Sequence, residues 1–87
     1  MIARIIELYI IDYELLLKRF RQSEYNYNRL AQNVNVSRNT IRNIMSGRTT
    51  PSHYCSASIA EALELTHEDI IAIFFPNINN KGVFEND

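Results

Sequence analysis

Two glycines and two prolines are all that punctuate a chain of 87 residues. Those are the residues that let a backbone turn sharply, so a chain with so few favours helices over a many-stranded barrel. The apolar residues agree. Leu30, Ala31 and Val34, then Ile41 and Ile44, then Ile59, Ala60 and Leu63 recur largely at steps of three and four, the spacing that lines one side of a helix. Boundary residues fall where such helices need them. Asn26 and Ser37 are placed to cap a second and a third helix, because their side-chain oxygens can accept from the first free backbone N–H groups. Gly47 is the expected stop of the third, Pro51 opens a fourth, and Thr66-His67-Glu68-Asp69 reads as a cap ahead of a short fifth over 70–75, ended by Pro76.

The N-terminus is ambiguous. Ile2, Ile5, Ile6, Tyr9, Tyr13, Leu16, Leu17 and Phe20 form one helical stripe, and Leu8, Ile11 and Leu15 a second. A helix running from Ile2 is the expected form; a short strand over "RIIELYII", before a helix starting near Asp12, is the alternative. A helix apolar on two faces must be covered twice; a longer first helix lying over the monomer's own core is one reading of the extension, and a dimer interface is the other. The expected organisation is an extension over 1–12, a helical domain over 13–76 and a polar tail over 77–87, with Val83 and Phe84 as a candidate docking anchor.

Composition narrows the class. The hydrophobic fraction is 46% and the charged fraction 22%, ordinary globular values. Cys55 is alone, so no intramolecular disulfide can form, and nothing reads as a secretory cleavage site. Six charged residues interrupt 1–20, whereas a membrane span needs about 18 nearly uncharged residues. A cytoplasmic protein is expected.

Charge is polarised along the chain. Residues 25–56 hold Arg29, Arg38, Arg42 and Arg48 with no acid, whereas residues 57–87 carry a net −5; the whole chain is −1. The densest part of the basic block is "VSRNTIRNIMSG", 36–47. On a helix, Arg38, Asn39, Arg42 and Asn43 share one face while Ile41 and Ile44 lie opposite. Arginine can hold guanine through O6 and N7, and asparagine adenine through N6 and N7, in the major groove. A carboxylate among them would meet phosphate oxygens, which accounts for the absence of acids.

"RLAQNVNVSRNTIRNIMSGRTTPS" with "IAEALELTHEDI" resembles the helix-turn-helix family of Cro and phage-repressor type regulators. The resemblance covers roughly residues 16–75. It implies an all-α, five-helix, lambda-repressor-like DNA-binding domain whose third helix enters the major groove. It places Arg38, Asn39, Arg42 and Asn43 as base contacts, and Asn26, Tyr27, Ser37, Ser46, Arg48 and Thr49 at phosphates. It also implies a double-stranded DNA operator, a homodimer, possibly joined through the N-terminal apolar segment, and no cofactor. The chain departs from the family pattern at Tyr27 (often glutamine), at Glu64 (often glycine), at Met45 (often acidic) and in lacking a glycine between helices 1 and 2.

Other chemistries have little support in the residues. His53 and His67 are far apart and lack metal-ligand spacing. His53 and Cys55, two apart on a helix, would face different ways and make a poor base–nucleophile pair. No enzymatic activity is expected. The competing reading is a protein–protein adaptor, antirepressor-like or antitoxin-like, on the same scaffold.

Overall fold

The computed structural model describes residues 10–76, and these form five α-helices with no strand among them. They are α1 (Tyr13–Gln22), α2 (Tyr27–Val34), α3 (Arg38–Met45), α4 (His53–Ala62) and α5 (His67–Phe74). Helix α2 packs against both α3 and α4, while α1 packs against α5 and α3. Leu16, Leu30, Ile41, Ile44, Ile59 and Ile73 are the largest fully enclosed side chains, so every helix sends at least one residue into a single core.

Every helix has a side-chain cap. The oxygens of Asp12, Asn26, Ser37, Ser52 and Thr66 each accept from the backbone N–H three residues on, satisfying donors that a helix start leaves free. At α5 the cap is reciprocal: Thr66 accepts from Asp69 N–H, and Asp69 accepts from Thr66 N–H. Three of the starts differ from the sequence expectation. Residues 10–12 are not helical and α1 begins at Tyr13, so one continuous helix from Ile2 to Phe20 does not form. The cause is local: Asp12 serves as the cap, and its own N–H donates to the carbonyl of Ile73 at 2.8 Å instead of to a preceding turn. The rest of the extension and the 77–87 tail lie outside the described residues. Pro51 precedes the fourth helix without opening it; Ser52 is the cap. The fifth helix starts three residues before Ile70, at His67.

The helix ends use left-handed backbone in three places. Gly47 follows α3 at φ +80, where a Cβ would sit 3.4 Å from the Tyr13 ring. Asn35 ends α2 at φ 67 and Glu64 ends α4 at φ 56. Asparagine tolerates this region; glutamate does so only with strain, so position 64 is a glycine site held by a glutamate.

Arg19 and Asp69 tie α1 to the start of α5, with Nε to Oδ1 at 3.2 Å. The Thr66 backbone N–H, and then the Arg19 guanidinium, hold the Asp69 carboxyl below its ordinary value. A carboxylate whose pKa is lowered by folding adds stability that is present above its unfolded pKa and lost as pH falls through the folded one. Acid unfolding of the wild type is therefore expected to carry a contribution from Asp69 below pH about 4. An Asp69→Asn variant should be less stable at neutral pH and lose less on acidification, as urea midpoints at pH 7 and pH 3 would show.

Candidate functional site

The turn between α2 and α3 sets the site. Val34 ends α2, and Asn35, in the left-handed conformation, reverses the chain while its N–H and that of Val36 both donate to the Ala31 carbonyl. Ser37 then starts α3 by accepting from Thr40 N–H at 3.0 Å. Three residues thus separate two helices, too few for α3 to drift. Beneath α3, Ile41, Ile44 and Met45 are each at most 2% exposed. Met45, four residues after Ile41, belongs to this underside as well.

What remains outside is Arg38, Asn39 and Arg42, all exposed, with Asn43 half-buried beside them. The single side-chain ion pair among the described residues is Arg19–Asp69, so the guanidinium groups of Arg38, Arg42 and Arg48 have no carboxylate partner there. Asn43 has a second task. Its carbonyl accepts from Arg48 N–H at 2.9 Å and from the Ser46 hydroxyl at 3.1 Å. That bonding folds the segment after α3 back toward the helix and brings Arg48 and Thr49, both exposed, next to it. Tyr13 backs this segment from α1: its ring lies against Gly47 and its hydroxyl donates weakly to the Thr49 carbonyl at 3.4 Å.

The six residues assigned to phosphate differ in what they have left to give. Asn26 accepts the Arg29 N–H at Oδ1, and its NH₂ has no partner among the described residues. Arg48 and Thr49 are exposed with side chains uncommitted among the described residues. The Ser46 hydroxyl donates to the Asn43 carbonyl, and the Ser37 hydroxyl is engaged by Thr40 at both N–H and Oγ1; these two are chiefly structural. Tyr27 is the departure. Its ring stacks on Phe20, centroids 5.2 Å apart at 21°, and the Arg42 guanidinium lies over it, 6.0 Å from the ring centroid. Phe20 is 6% exposed, so the core supports Tyr27 and Tyr27 supports Arg42. Neither the stack nor the Tyr13 support was visible in the sequence, because each joins residues from separate helices.

The remaining candidates fall elsewhere. Cys55 is buried and burial pushes its thiol up, keeping it protonated at neutral pH; His53 is exposed on the other side of α4. Among the described residues no three His, Cys, Asp or Glu side chains gather as a metal site, and no helix is long and apolar enough to cross a membrane. Arg29 is a solvated charge. Comparison with protein-family models, with curated proteins and with solved structures finds no match to this chain.

Proposed function

We propose that the chain is a helix-turn-helix regulator of the Cro and phage-repressor type that binds double-stranded DNA, with α3 in the major groove. The observation that carries this reading is the division of α3. A fully enclosed underside at Ile41, Ile44 and Met45 holds out a crest at Arg38, Asn39 and Arg42 that has no acidic partner among the described residues. Long donors left unpaired by the described residues are donors available to base edges. Asn26, Arg48 and Thr49 flank the crest and would fix its register on the phosphates. Two copies are expected on one operator, since α3 is only eight residues long and paired recognition helices sit about 34 Å apart on one face of the duplex.

Salt titration separates this reading from an adaptor. A DNA binder loses affinity log-linearly with salt, by about 0.9 per phosphate neutralised. In that titration Arg48→Ala is expected to weaken all duplexes alike and flatten the slope by about one, whereas Asn39→Ala should relax preference at one base pair by about 1–3 kcal/mol. Binding that ignores salt, or an absence of duplex binding at low salt, would favour the antirepressor-like or antitoxin-like adaptor.

Tyr27 acts in this scheme through its ring. An exposed cation–π contact contributes about 0.5–1 kcal/mol. Tyr27→Phe keeps the stack, so it should retain wild-type base preference, while Tyr27→Leu should relax preference at the base pair that Arg42 reads by about two- to fivefold. If Tyr27→Phe weakened binding to every sequence equally, the hydroxyl would be a phosphate contact instead.

A further inference from the structure

An apolar cleft of about 500 Å³ opens between α4 and α5, on residues that the DNA-binding reading does not use. Pro51, Ala57 and Ala60 line it from α4 and the segment before it, Ile70 and Phe74 line it from α5, and Ile11 lines it as well. Ile11 is 8% exposed whereas its neighbour Ile10 is 53% exposed. The chain is anchored directly after Ile11, where the N–H of Asp12 donates to the carbonyl of Ile73 on α5 at 2.8 Å. Residues 1–9 therefore join the described fold at the cleft itself.

Those residues have the composition and length to fill it. Ile2, Ile5, Ile6, Leu8 and Tyr9 put five large apolar side chains into eight positions. The other end of the chain also leaves nearby, after Phe75, but "NINNKGVFEND" offers only Ile78, Val83 and Phe84. Nine residues reach about 13 Å as a helix and about 30 Å extended. Helix α4, whose face lines the cleft, has ten residues and is about 15 Å long, so the segment can cover it in either form. Its attachment at Ile10 also gives it a local concentration in the millimolar range, which a separate molecule must match through its own concentration.

We propose that the cleft between α4 and α5 is the docking site of this chain's own residues 2–9, which close it within one molecule. The apolar surplus at the N-terminus then covers its own subunit and does not form a seam between subunits. Methyl NMR on the full chain, labelled at isoleucine and alanine, tests this without DNA. Cross-peaks linking Ile2, Ile5 or Ile6 to Ala57 or Ala60 are expected. They should persist within a labelled molecule diluted into unlabelled protein and disappear in Ile5→Asp. Cross-peaks only between differently labelled molecules would overturn the proposal in favour of exchange with a second copy. Contacts from Ile78 in place of the N-terminal isoleucines, or no contacts to Ala57 and Ala60 at all, would overturn it equally.

Discussion

Replacing Arg38 and Arg42 together by alanine is expected to abolish discrimination between a selected duplex and a scrambled one, while leaving the fold unchanged. Each bidentate arginine–guanine pair contributes about 1–3 kcal/mol of discrimination. Loss of both corresponds to roughly 30-fold to 10⁴-fold at 1.36 kcal/mol per decade. Both side chains are exposed and neither enters an ion pair among the described residues, so removing them takes no support from the core. Arg42 does lie over Tyr27, but an exposed contact of that kind is a small part of the total. Far-UV circular dichroism and the thermal midpoint should stay close to wild type as discrimination falls. A matching fall in helicity would mean that the arginines are structural and that the crest was misread.

Ile41→Ala should do the reverse, damaging the fold first. Ile41 is fully enclosed on the underside of α3, and truncating a buried isoleucine costs about 2–5 kcal/mol through lost transfer energy and the cavity left behind. Small domains have a total stability of about 5–15 kcal/mol, so this single change takes much or most of it. A sharp drop in the urea midpoint is expected. Recovery of DNA binding at low temperature, where the remaining fold is populated, would show that the underside acts by holding α3 in place and not by touching DNA. Neighbouring Thr40, half-buried at the helix surface, should tolerate alanine far better.

How legible the sequence was depends on how local each interaction is. The caps at Asn26, Ser37 and Thr66 were readable because a cap needs only a short polar side chain within three residues of the N–H it serves. The stop at Gly47 was readable because glycine alone enters its φ without strain. The inward faces of α2 and α3 followed from spacing. Met45 fits the same spacing, four residues after Ile41, and the structure adds it to that face. The start of α1, which the sequence offered near Asp12 only as the alternative to a helix from Ile2, is set by a tertiary contact. The apolar spacing continues upstream of Tyr13 through Ile11 and Tyr9, yet Asp12 turns its N–H to Ile73, more than sixty residues away in sequence. The Phe20–Tyr27–Arg42 stack and the Arg19–Asp69 pair are similarly non-local. At the candidate site, the sequence identified the exposed donors of α3 but could not rank their neighbours. Only the hydrogen bonds distinguish Asn26, whose amide protons have no partner among the described residues, from Ser37 and Ser46, whose hydroxyls are engaged within the chain.

Methylation interference on a duplex selected from a random pool addresses the central claim most directly. Dimethyl sulfate marks guanine N7 in the major groove and adenine N3 in the minor groove, so one experiment asks which groove α3 reads. Loss of binding on N7 methylation at one or two guanines per half-site is expected, with the effect at one of them disappearing in Arg42→Ala. Interference confined to adenine N3, or a selection that enriches no sequence, would contradict the assignment of Arg38, Asn39 and Arg42 to base edges.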